Sequence, residues 1–175
     1  NFIFSKNFNY KFFPRPQFTI ENSSIIDNHV EISDIKKLTI YISLDKLFSL
    51  KNITIKDVVL ENANFNFDKK NYDFFLKLLD NSFLENSFKI KDSNIFYRNS
   101  ENEVLFINKI VKMKYFYDKN NLNNIVFSEN EIFNIPYSYE FINDKIKNKI
   151  FSKLNLKFLK LQIENEIDYK DDIKK

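Results

Sequence analysis

Two Lys-Asp pairs stand at matching places in two similar stretches, Lys56-Asp57 within residues 53–60 and Lys91-Asp92 within residues 88–95. Two carboxylates brought together by a repeat could serve as the acid and base of a hydrolase. The repeat accounts for them more simply, as wet-face or bulge residues in two copies of one strand. His29 is the single histidine, so the chain can build neither a triad on a histidine base nor a multi-histidine metal site. It reads as a solvated turn residue beside Asn28. Arg15 and Arg98 are the two arginines. A guanidinium suits phosphate geometry and would fit a lipid phosphate, but a structural ion pair is the expected role of each. Asn22-Ser23-Ser24 and Asn52-Ile53-Thr54 match the glycosylation sequon, a pattern of low specificity in so Asn-rich a chain.

Composition narrows the chemistry further. The 175 residues include no Gly and no Cys. Phosphate-cradling loops, Rossmann turns and nucleophile elbows need residues without a Cβ, so nucleotide enzymes of those types are not expected. Without Cys there is no disulfide, no thiolate nucleophile and no Cys-based metal site. The 27 basic and 24 acidic residues nearly cancel, at +3, and no Arg-rich basic cluster of a nucleic-acid binder is visible. The expectation is therefore a protein that is not an enzyme, with no cofactor, no metal and no catalytic residue. No stretch approaches the roughly 20 apolar residues of a membrane-spanning helix. The chain starts at Asn1 rather than Met and ends in a polar run. It reads as a piece of a longer protein.

The elements available to position these residues are mostly strands. Aromatic content is 17%, from 21 Phe and 9 Tyr, and both types favour sheets. Residues 53–67 alternate apolar and polar, with one phase slip expected at Val58-Val59, as a bulge in a one-faced strand would give. The pattern returns at 88–95 and more loosely at 18–25 and 161–165. Further strands are expected over 1–13, 17–26, 38–42, 103–107 continued through 111–117, 123–133, 135–141 and 146–169, the last with a bulge near 156–159. Pro14 and Pro16 end the first. Asn99 to Asn102, Asp118 to Asn121 and Asn143 to Lys145 are the expected turns, with Asn and Asp replacing Gly. Helical spacing is confined to a turn at about 44–50 and a helix at about 71–83, carrying Phe74, Phe75, Leu78 and Leu79, with Asn71 or Asp73 to cap it.

Together these predict one mainly β domain over residues 1–175, a strongly twisted, curved antiparallel sheet with one short covering helix. Its apolar stripe comprises Phe18, Ile20, Leu38, Ile40, Ile42, Ile53, Ile55, Phe65, Phe67, Phe88, Ile90, Ile95, Tyr137, Tyr139 and Phe141. A helix near 16 Å long cannot cover eight or more strands spaced at about 4.8 Å. Either the sheet curls around a filled core or apolar surface stays open as a binding face.

The order of these pieces resembles the N-terminal region of the AsmA family of bacterial envelope proteins. The resemblance rests on Phe12-Phe13-Pro14-Arg15-Pro16-Gln17-Phe18-Thr19-Ile20, on Ile40-Tyr41-Ile42-Ser43-Leu44-Asp45-Lys46-Leu47-Phe48, on residues 53–67 with Lys70-Asn71-Tyr72, on the second copy ending at Tyr97-Arg98, and on Asn134-Ile135-Pro136-Tyr137. Where the family often has Gly, around 68–71, this chain has Asp, Lys and Asn. The resemblance implies an inner-membrane anchor upstream, a periplasmic β-rich body and a role in outer-membrane assembly. It also implies a hydrophobic groove, like that of the related TamB and YhdP group, lined by the stripe above and conducting phospholipid acyl chains. Phospholipid and other envelope proteins, or further repeats of the same chain, are the partners it implies. A closed, packed protein-interaction module is the alternative.

Overall fold

A computed structural model describes residues 2–3, 8–27, 29–43, 54–75 and 87–169. Its strands are β1 (Phe2–Ile3), β2 (Phe8–Lys11), β3 (Gln17–Asp27), β4 (Val30–Ile42), β5 (Ile55–Phe67), β6 (Ser87–Arg98), β7 (Val104–Asp118), β8 (Asn123–Ile132), β9 (Ile135–Asp144), β10 (Lys149–Leu156) and β11 (Leu161–Asp168). They form one open sheet in which β3 to β11 lie side by side in chain order. The first expected strand is two short pieces, β1 and β2, both paired to β3. The fold is mainly β, as the periodicity predicts. One neighbour pair departs from the antiparallel expectation: β5 and β6 run parallel. A parallel pair needs a crossover, and this one begins with helical residues 72–75, whose Phe74 and Phe75 rest against the core. The remainder of the expected helix, the turn at 44–50 and Ile53 lie outside the described residues.

Residues directly opposite in a ladder share a face, so the registers sort the chain into two surfaces. One row runs Ile20, Leu38, Leu60, Ile90, Met113, Ser128, Tyr139, Leu154 and Ile163 across β3 to β11. The adjacent residues of the same strands carry Glu21, Lys37, Glu61, Lys91, Lys112 and Glu129 on the other face. The apolar core cluster lies on the first face, around Ile20, Ile35, Leu38, Leu60, Ala63, Phe65, Ile90 and Ile110, while Val59 is buried on the other.

The phase slip expected at Val58-Val59 resolves into two others. In β5 a register shift near Lys56 sets Ile55 opposite Ile42, and a second slip at Asn62 passes the apolar phase from Leu60 to Ala63. Asn62 is left-handed at φ 54°, as are Asn22 (54°) in β3 and Asp92 (47°) in β6. The structural repeat therefore aligns Asn22, Asn62 and Asp92, so Asp57 corresponds to Ser87 rather than to Asp92. Asn and Asp tolerate this conformation best among residues with a Cβ. The slips in β5 and β6 are stitched together by Ser93, whose Oγ accepts from the Ala63 amide at 3.0 Å and donates to the Lys91 carbonyl at 2.7 Å. Such aligned bulges bend and twist a sheet.

Turns without glycine rely on side-chain acceptors. Asn99 Oδ1 accepts from the amides of Glu101 and Glu103, Asp118 Oδ1 from Asn120 and Asn121, and Asp144 Oδ1 from Ile146 and Lys147. Between β8 and β9, Phe133 and Asn134 are both left-handed, the backbone that a two-residue hairpin with the sheet's own twist requires. The expected long strand over 146–169 is instead a hairpin. The 3-10 turn Lys157–Leu159 and left-handed Lys160 reverse the chain, which produces the change of phase read as a bulge.

Candidate functional site

The apolar face divides into two parts. Over β3 to β7 it is sealed: Ile20, Leu38, Phe65 and Ile90 are at most 5% exposed. These four of the expected groove-lining residues are core. Ile40, Phe88 and Ile95 are partly buried against them. Phe18 packs against Phe8 and Tyr10 in tilted pairs with ring centroids 5.0 Å apart. Phe67 is the hub of an aromatic cluster with Tyr72, Phe75 and Tyr97, and Tyr97 stacks on Phe106 at 4.2 Å. Ile42 and Ile55 face each other at the register shift, Ile55 being exposed. Over β9 to β11 the same face is open. Tyr137, Tyr139 and Phe141 are half-buried and continue outward through Leu154 and Leu156 to Leu161, Ile163 and Ile167, which are 44–56% exposed.

Between the two parts β8 lays a polar seam. Its inward residues Asn124, Ser128 and Asn130 are buried, as are Asn108 in β7 and Asn143 in β9. Buried amides are costly unless bonded, and tyrosines from flanking strands meet them. The Tyr137 hydroxyl donates to Asn108 Oδ1 at 2.8 Å, Tyr115 to Asn124 Oδ1 at 3.1 Å and Tyr169 to Asn143 Oδ1 at 2.9 Å. Burial pushes the Tyr137 hydroxyl up to about 12, with the neighbouring Tyr97 adding to burial and the Asn108 bond opposing it. Tyr97 and Tyr139 are raised as well, chiefly by burial.

The chemistry-bearing residues are dispersed. Asp57 lies on the charged face, bonded by Ser87 and by Lys89 at 3.3 Å. Burial works to raise its pKa, but those bonds and the charges of Lys89 and Lys56 outweigh burial and hold the carboxyl below its usual range. Asp92 is an exposed bulge residue. The two carboxylates do not form an acid–base pair, because the register separates them. Among the described residues Arg98 makes structural bonds to neutral groups rather than the expected ion pair: Nε donates to Asn66 Oδ1 at 3.1 Å and Nη1 to the Asn102 carbonyl at 2.8 Å. Arg15 is exposed at the bend after β2, and His29 is exposed in the β3–β4 turn. Among the described residues, no three His, Cys, Asp or Glu side chains gather as metal ligands would, and no helix is long and apolar enough to cross a membrane.

Leu154, Leu156, Leu161, Ile163 and Ile167 are the open-face residues absent from the expected stripe. Their alternation is visible in the sequence, but the reversal at Lys160 hid their shared face. The chain matches no protein-family model and no curated protein. The likeness to the AsmA family therefore rests on the residues quoted for it.

Proposed function

We propose that this chain is a non-enzymatic lipid-handling module whose open apolar face over β9 to β11 holds phospholipid acyl chains, in a periplasmic, membrane-anchored protein of AsmA type. The observation that supports this reading is the contrast between the two surfaces of β9 to β11. One presents half-exposed Phe141, Leu154 and Ile163; the other presents Glu140, Lys153 and Glu164. Each CH₂ moved from water onto such a face contributes about 0.8 kcal/mol when fully buried, so an acyl chain needs no specific polar contact. The sealed region over β3 to β7 would act as the scaffold of this surface.

The experiment is native mass spectrometry with lipid extraction on wild type and on Leu154→Asp/Ile163→Asp. Wild type is expected to carry or take up phospholipid, and the variant to lose it while keeping its circular dichroism spectrum. A wild type that is lipid-free and refuses added phospholipid overturns the proposal. One feature favours the alternative of a protein-interaction module: β11 pairs with β10 alone among the described residues, and an unpaired strand edge accepts another strand. That reading gains if the lipid-free protein associates through β11 and a proline placed in β11 abolishes the association.

A further inference from the structure

The charged face follows a rule that fails in one place. Along its rows the signs alternate from strand to strand, as in Glu21, Lys37, Glu61 and Lys91 across β3 to β6 and Glu140, Lys153 and Glu164 across β9 to β11. Between β6 and β7 two adjacent rows set lysine against lysine: Lys89 opposite Lys114 and Lys91 opposite Lys112. Among the described residues no other directly opposed pair carries like charges. Like charges placed directly opposite one another destabilise a sheet. The protein compensates in part. Lys89 reaches Asp57 at 3.3 Å and Lys112 reaches Glu129 at 2.8 Å, while Lys114 turns over the Phe116 ring at 4.7 Å. The acid opposite Lys91 on its other side, Glu61, is bonded to Lys37.

This block is not flat surface. All four lysines line a cleft of about 480 Å³ that extends across β6 to β10, together with Lys153, the carboxylates Glu129 and Glu140, and the half-exposed ring of Phe127, so basic side chains outnumber acidic ones there. Phe127 sits directly opposite Lys114, which places an apolar plate beside the cationic block. We infer that this cleft binds a phosphate-bearing ligand, the lysine block taking the phosphate and Phe127 a less polar portion of the molecule. A phosphate group carries between one and two negative charges near neutral pH and several strong acceptor oxygens, which suits Lys91 and Lys114, the two lysines of the block with no carboxylate partner among the described residues, while Lys89 and Lys112 are held by Asp57 and Glu129. The site lies on the face opposite the acyl-chain surface and stands or falls independently of it. Its ligand is either a free phosphate compound or the headgroup of a lipid in a bilayer.

The test uses inorganic pyrophosphate and, separately, phosphatidylcholine vesicles with and without phosphatidylglycerol, on wild type and on Lys91→Gln/Lys114→Gln. Pyrophosphate is expected to raise the melting temperature beyond sodium chloride of equal ionic strength and to shift amide resonances of β6 and β7. The double variant should bind about a hundredfold more weakly, the loss of two charge-assisted bonds at about tenfold each. Without ligand it should melt no lower than wild type, because it relieves repulsion. Lysine-dependent binding of pyrophosphate assigns a free phosphate compound. Lysine-dependent sedimentation with phosphatidylglycerol vesicles alone assigns a headgroup. If neither probe discriminates wild type from the folded double variant, the inference is overturned.

Discussion

β3 to β7 and β9 to β11 are written in the same alternating code, yet one region is a core and the other a surface. Three differences separate them. The first region carries the aligned left-handed residues Asn22, Asn62 and Asp92, which bend the sheet, and its parallel pair brings Phe74 and Phe75 back over the apolar side. The second has ordinary hairpins, and its outermost strand is exposed along its whole length. Between them the inward face of β8 carries Asn124, Ser128 and Asn130 beside Val126; Tyr115 bonds Asn124, and Asn130 bonds Ser128. Alternation thus fixes which residues share a face. Whether that face becomes core depends on chain crossing back over it.

The largest effects should fall in the sealed region. Leu60 is 1% exposed, so Leu60→Ala is expected to cost about 2–5 kcal/mol through lost burial and a residual cavity, read as a shift in the urea midpoint. If it costs less than about 1 kcal/mol, the seal over β3 to β7 is not what the burial indicates.

Next comes the stitch between bulges. Ser93→Ala removes the acceptor of the buried Ala63 amide and the donor to the Lys91 carbonyl, and leaving such a group unpaired costs about 1–3 kcal/mol. Faster amide exchange at Ala63 would be the specific signature. A variant with unchanged exchange there would show that the aligned slips hold themselves.

At the seam, Tyr137→Phe deletes one bond to buried Asn108 and is expected to cost about 1 kcal/mol. Its pH signature is more telling. The hydroxyl ionises near 10 when unfolded and at about 12 when folded, so the folded form keeps its proton where the unfolded form has lost it. Tyr137 therefore contributes stability that is fully present below pH 10 and is lost as pH rises through about 12. Denaturant titrations across that window should show a decline in wild type that is shallower in Tyr137→Phe. Equal slopes would remove Tyr137 from the account.

Much of this division was legible in the residues, and the gaps have physical causes. The turns at Asn99, Asp118 and Asp144 follow from local turn chemistry, and the common face of Ile20, Leu38 and Ile90 from a period of two. The parallel β5–β6 pair was missed although its signal was present: residues 68–86 are long enough for a crossover and carry the expected helix, unlike the short turns that join β6 to β11. The repeat was misaligned. Matching Lys56-Asp57 to Lys91-Asp92 followed side-chain identity, whereas the structure matches Asn62 to Asp92 by the backbone conformation both adopt. The open face was half legible: Tyr137, Tyr139 and Phe141 follow from alternation, but Leu161 and Ile163 join them only through the reversal at Lys160.

The smallest expected effect sharpens the comparison most. Ile163 lies in the same row as Leu60, yet it is 44% exposed on the outermost strand. Ile163→Ala should therefore change stability by no more than about 0.5 kcal/mol, as surface substitutions do. Leu60→Ala changes the fold's free energy because the face above Leu60 is already filled. On the proposed lipid reading, Ile163→Ala should instead weaken retention of phospholipid, because Ile163 is left exposed by the described residues. A cost near that of Leu60→Ala would mean that β11 is packed as tightly as β5, and the two regions would then be one continuous core.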